Sequence, residues 1–85
     1  MQIFDVTMSG NKATVLDLVR SENKNVKFIG LQALIDNGAT IFFGDSNKQI
    51  GPLAPGDAVL LPESNMETVS ILGTASDKLI ISIFR

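Results

Sequence analysis

The residues that could do chemistry are few. Asp45-Ser46-Asn47-Lys48-Gln49 opens like a calcium loop, with side-chain oxygens at alternating positions. Its sixth position is Ile50, where an EF-hand needs Gly for the sharp turn. Its twelfth is Gly56, where a bidentate Glu is needed. The segment therefore reads as a turn with Asx-type side-chain bonds. Asp36, Asp45 and Asp57 each fall at an expected turn. Two of them could meet as a carboxylate pair of the glycosidase kind, yet each also has an ordinary turn role. The chain contains neither His nor Cys. That removes the usual zinc, iron–sulfur and blue-copper ligand sets, His general bases, Cys nucleophiles and any Ser-His-Asp triad. No disulfide can form.

The glycines do not spell a phosphate loop or a dinucleotide fingerprint. Gly38, Gly44, Gly51, Gly56 and Gly73 lack the required spacing and the following Lys-Ser/Thr. Phe4, Phe28, Phe42, Phe43 and Phe84 could stack on bases, but basic neighbours are missing, so core packing is the simpler role. Seven basic and nine acidic residues give a net charge of −2 with the signs mixed along the chain. A phosphate-tracking surface is not expected, so nucleic acid is excluded as a partner. No apolar run approaches the roughly 18–20 residues of a membrane span. Residues 1–5 show no basic, apolar leader pattern. The expectation is a non-enzyme without cofactor or metal, soluble and made in a cytoplasm, acting through surface area.

The elements that would position such a surface are short, β-branched and punctuated by turns. Alternation and turn signals predict seven strands: 3–8, 13–19, 26–35, 39–43, 57–61, 68–73 and 78–84. Residues 13–20 could instead form two helical turns capped by Asn11, but Val and Thr favour a strand. Asn37-Gly38 between apolar runs reads as a type I′ hairpin turn joining 26–35 to 39–43. A long loop covers 44–56, and Pro55-Gly56 within it fits a type II turn. Pro62 ends the strand before it. The fold class is all-β, a single-domain antiparallel sandwich or barrel of about seven short strands.

Three strands break the in–out alternation expected when one face meets water. Ile41-Phe42-Phe43, Val59-Leu60-Leu61 and Leu79-Ile80-Ile81 place large apolar groups on both faces. A chain of 85 residues has little material to cover both. Cover could come from the polar segment 20–25 and the C-terminal loop, but another protein surface is the stronger expectation.

The cadence of the middle and C-terminal parts is distinctive. Leu31-Gln32-Ala33-Leu34 leads to Asn37-Gly38 and then to the run from Ala39 through Phe42-Phe43-Gly44-Asp45-Ser46. Pro52-Leu53-Ala54-Pro55-Gly56-Asp57, Leu60-Leu61-Pro62, Asn65-Met66 and Val69-Ser70-Ile71-Leu72-Gly73-Thr74 follow. Over roughly residues 28–84 this resembles the small β-sandwich virion structural proteins of tailed bacteriophages, of the capsid decoration or cement type. Phe42 and Ser70 stand where such proteins often carry Tyr. The resemblance implies a decoration protein that trimerises and stabilises the outer shell, with its own copies and the major capsid protein as partners. A head–tail adaptor, or a host- or carbohydrate-binding module of a tail or fibre, is the alternative. The implied location is the capsid surface of the virion. Phe42, Phe43, Leu60, Ile80 and Phe84 are the candidates for core and subunit interface. Ile3 and Phe4, in an N-terminal strand or arm over 1–8, and Asp45, Asn47 and Lys48 are the candidates for capsid contact.

Overall fold

The computed structural model describes residues 1–45 and 51–85. It contains β1 (Gln2–Thr7), β2 (Ala13–Thr14), α1 (Val15–Val19), β3 (Phe28–Ala33), β4 (Ile41–Gly44), β5 (Gly51–Leu53), β6 (Ala58–Leu61), β7 (Ser70–Leu72) and β8 (Lys78–Phe84). Two four-stranded antiparallel sheets pack together, in the orders β1-β8-β3-β6 and β2-β7-β4-β5. We call them the first and second sheet. Among the described strands, β4 and β5 alone are consecutive and paired in one sheet; the other consecutive strands lie in different sheets.

β8 shows why the sandwich forms. Leu79, Ile81 and Ile83 are buried, and they alternate with Lys78, Ile80, Ser82 and Phe84 on the other face. Ile29, Leu31 and Ala33 of β3 join them on the inner face. Ile41, Leu53, Val69 and Ile71 meet this layer from the other side, and Met8, Val15, Val19, Val26 and Met66 complete the core. Each fully buried Ile or Leu contributes about 1.5–3 kcal/mol relative to exposure. The core between the sheets is therefore filled by the chain itself.

The described residues form eight strands, in keeping with the expected antiparallel sandwich of about seven, but several local expectations differ. Segment 13–19 is a two-residue strand followed by a helix. Thr14, not Asn11, is its N-cap: the Asp17 N–H donates to Thr14 Oγ1 at 3.1 Å, and the Thr14 N–H donates to Asp17 Oδ2 at 3.3 Å. This reciprocal capping box outweighs the β propensity of Val15 and Val19. Arg20 ends the helix in the left-handed region, at φ 51°.

Asn37-Gly38 does not turn a hairpin. β3 lies between β6 and β8, β4 lies between β5 and β7, and the connection between them crosses from sheet to sheet. Gly10 and Gly56 are the positive-φ glycines, so Gly38 does not meet the type I′ requirement. The crossing is held instead by Asp77, whose carboxylate accepts from the Gly38 N–H at 3.0 Å and the Ala39 N–H at 3.1 Å.

The expected loop 44–56 contains a strand. β5 pairs with β4 through Ile41↔Leu53, Phe42↔Pro52 and Phe43↔Gly51. Pro52 is tolerated there because β5 is an edge strand. Pro55-Gly56 does form the expected turn, with Gly56 at φ 90° and the Asp57 N–H donating to the Ala54 carbonyl at 2.8 Å. β6 stops at Leu61, before Pro62, and β8 spans Lys78–Phe84 as expected.

Candidate assembly face

The register of the first sheet arranges its outward side chains in rows. One row runs Ile3↔Ser82↔Gly30↔Leu60, the next Asp5↔Ile80↔Gln32↔Ala58, and Phe84 sits opposite Phe28 beyond the first. Ile3 is 61% exposed, Leu60 57% and Phe28 42%. Ile80 and Phe84 are half-buried. Asp5 and Lys78 are the charged members of this face. The small residues Gly30 and Ser82 leave a shallow depression of about 150 Å³ between Leu60, Ile80 and Phe84. A Cβ on Gly30 would lie 3.3 Å from the Ser82 Cβ and 3.5 Å from the Phe84 ring. The result is a concave apolar surface on the side of the sheet away from the core.

The second sheet also has an outward apolar patch, beside a recess lined by Thr40, Phe42, Leu72 and Gly73. Phe42 pairs with Leu72 and Pro52 on its outward side and is 38% exposed. Phe43, its neighbour, points inward, is half-buried and packs on the core. The two-sided apolar runs thus split as their composition requires. Ile41, Phe43, Leu79 and Ile81 face the core, while Phe42, Leu60 and Ile80 face outward.

The segment 20–25 does not cover either outward face. It closes one end of the sandwich. Asn23 Nδ2 donates to Asn65 Oδ1 at 2.7 Å, and the Met66 N–H donates to Asn23 Oδ1 at 2.9 Å. The Arg85 guanidinium holds the same end. It donates to the Lys24 carbonyl at 2.6 Å, Gln2 Oε1 at 3.0 Å and Ser21 Oγ at 3.2 Å.

The capsid-contact candidates separate. Ile3 lies on the apolar outward face. Phe4 faces inward, opposite Ile81, and packs against the core. Residues 2–7 are not a free arm, since every one of them pairs with β8. Leu79 and Ile81 need that strand beside them, so β1 is part of the sandwich. Asp45 is exposed after β4, beside a recess that also holds Leu61, Glu63 and Thr68. Asn47 and Lys48 lie outside the described residues, as does most of the calcium-like segment.

The three turn carboxylates occupy separate places. Asp57 Oδ2 accepts from the Ala54 N–H at 3.0 Å and so braces the Pro55-Gly56 turn. Asp36 lies by a recess with Asn37, Asp77 and Lys78, and Asp45 lies by the different recess at Glu63. Among the described residues no three His, Cys, Asp or Glu side chains gather as a metal site, and no helix is long and apolar enough to cross a membrane.

Sequence reasoning selected Leu60, Ile80 and Phe84 but did not single out Phe28 for the interface. The signal lay in the small outward residues beside it, Gly30 and Ser82, which leave the depression open. No family model matches the chain, and no curated protein or solved structure matches it.

Proposed function

We propose that the chain is a structural subunit of a virion, a decoration protein that docks on the outer shell of a capsid and ties neighbouring subunits together. It acts as a homo-oligomer, a trimer in this reading, with the major capsid protein as its other partner. The observation that supports the reading is the outward face of the first sheet. The core is already complete between the sheets. Ile3, Phe28, Leu60, Ile80 and Phe84 are therefore apolar for some purpose other than closing it. A concave apolar sheet face with few charges suits burial against protein. The sequence resemblance supplies the kind of assembly.

The test uses capsid shells, from the phage that encodes the chain, stripped of this protein. Purified protein is added and the shells are sedimented. Saturable uptake is expected, with loss of uptake for Phe28→Glu combined with Ile80→Glu. Protein that stays in the supernatant at micromolar concentration, or that binds tail fibres or polysaccharide instead, overturns the reading.

A further inference from the structure

The four sheet edges are not alike. β2 has two residues, and β5 has three with Pro52 among them. Both edges of the second sheet are thus blunted against pairing. The first sheet ends in β1, six residues long and free of proline, and in β6, four residues long and stopped by Pro62. Among the described residues neither of these edges carries a further strand or backbone bond, although α1 packs beside β1.

Backbone alternation shows which groups they offer. The Met8 N–H donates to the Asp77 carbonyl at 2.7 Å, and the Met8 carbonyl accepts from the Ser76 N–H at 3.1 Å. Met8, and with it Val6, Phe4 and Gln2, therefore bonds toward the β8 side. Ile3, Asp5 and Thr7 turn their N–H and carbonyl groups to the free edge. At the other edge the Ala33 N–H donates to the Asp57 carbonyl at 2.9 Å. Asp57, Val59 and Leu61 then face β3, and Ala58 and Leu60 point their backbone groups away from it.

We propose that β1 of one copy pairs antiparallel with β6 of a second copy, with Ile3 beside Leu60 of the neighbour and Asp5 beside its Ala58. This rests on the assembly reading above and names the partner surface as a second copy of the same chain. Strand directions permit the match, because β1 and β6 of one sheet already run in opposite senses. Ile3 and Leu60 are among the most exposed large apolar residues of the sheet, stand on the same face and belong to the same row. Pairing them continues that row from copy to copy and joins the concave faces into one surface. Both partners in each pair expose N–H and carbonyl groups at the edge, so two bonds form per pair. The competing β1-to-β1 pairing, centred on Phe4, sets Ile3 against Asp5 and leaves β6 and Leu60 uncovered. Centred on Asp5, it opposes two like charges. The contact is heterologous, so it closes as a ring where rotation returns the last copy to the first.

Sedimentation equilibrium of the free protein tests this together with Ile3→Lys, Leu60→Glu and the double variant. Wild type is expected above the 9.1 kDa single-chain mass at micromolar concentration. Each single variant should fall to that mass. The double variant should recover the oligomer, because the introduced ammonium of one copy then faces the introduced carboxylate of the next. A single-chain mass for wild type, single variants that keep the oligomer, or a double variant that stays at one chain overturns the proposal. Hydrogen exchange on wild type gives a readout that needs no variant. The amides of Ile3, Asp5, Ala58 and Leu60 should be protected; fast exchange at all four overturns the pairing. A single-chain protein that still binds shells would overturn the edge contact alone and leave the decoration reading standing.

Discussion

The side chain of Asn37 pairs with the backbone of Lys78 as an adjacent strand would. Its Oδ1 accepts from the Lys78 N–H at 2.7 Å, and its Nδ2 donates to the Lys78 carbonyl at 2.8 Å. The next residue on each side is also engaged, Asp77 with Gly38. A primary amide is the side-chain group that offers a donor and an acceptor in this geometry. The connection from β3 to β4 is thereby fastened to the start of β8, at the point where the chain changes sheets.

Asn37→Ala should remove both bonds, leaving the Lys78 N–H to water and the Lys78 carbonyl with the Leu34 N–H at 3.3 Å. The expected cost is about 0.5–1.5 kcal/mol per bond, since both bonds lie at the surface and water can replace part of them. For a domain of this size that corresponds to a fall in Tm of roughly 4–8 °C per kcal/mol. Asn37→Asp keeps the acceptor but sets a carboxylate oxygen against the Lys78 carbonyl, so it should recover little. Thermal unfolding of the two variants checks both expectations. An Asn37→Asp variant as stable as wild type would show that the donor bond carries no weight.

That pairing also marks the limit of what the sequence could show. Asn37-Gly38 carries a strong local hairpin signal, but its bonding partners lie about forty positions away, in Asp77 and Lys78. No local rule reaches that far. β5 escaped for a different reason: three residues with a proline do not make a strand signature, and the pairing is dictated by β4. The helix was legible in principle. Thr14 and Asp17 have capping-box spacing, but the β-branched residues around them pointed the other way. What alternation controls was readable. Leu79, Ile81 and Ile83 mark the inner face of β8, and the runs through Phe42, Leu60 and Ile80 mark apolar residues facing outward. The candidate face was thus half visible. Its outward apolar residues could be named, but not the rows that gather them, because rows depend on register between distant strands.

Gly51 should resist any side chain. A Cβ there would lie 2.3 Å from the Phe43 ring carbon Cζ, and two further ring atoms would come within 2.7 Å. Phe43 is half-buried and packs against the core, so relief of the clash means shifting the tip of its ring. Gly51→Ala is expected to cost about 1–3 kcal/mol through overpacking. In a Phe43→Leu background the added cost should shrink, because the ring that causes the clash is gone. Denaturant unfolding of the four proteins gives the coupling between the two sites. Strict additivity would remove the steric explanation.

Thr14→Ala should test the short helix. It removes the oxygen that accepts from the Asp17 N–H and frees the Asp17 carboxylate from its reciprocal role. Loss of such a cap costs about 1 kcal/mol, with a range of roughly 0.5–2. Thr14→Ser, which retains the hydroxyl, should restore most of it. Faster amide exchange at Asp17 in the alanine variant would locate the loss at the cap rather than in β2.

Removing residues 1–7 should unfold the protein, not trim it. β1 pairs along its whole length with β8, and Phe4 and Val6 pack against the core opposite Ile81 and Leu79. Deletion would uncover two side chains that are now fully buried and leave one side of the β8 ladder unpaired. The adjacent pair Ile80 and Ile81 makes the same point by substitution. Ile81→Ala, on the inner face, should cost about 2–5 kcal/mol. Ile80→Ser, on the outer face, should change the stability of the isolated chain by much less and lower self-association or shell binding instead. Circular dichroism melts set beside sedimentation of the same variants separate the two effects. Equal losses of stability at both positions would mean that the outward face belongs to the fold and not to a partner.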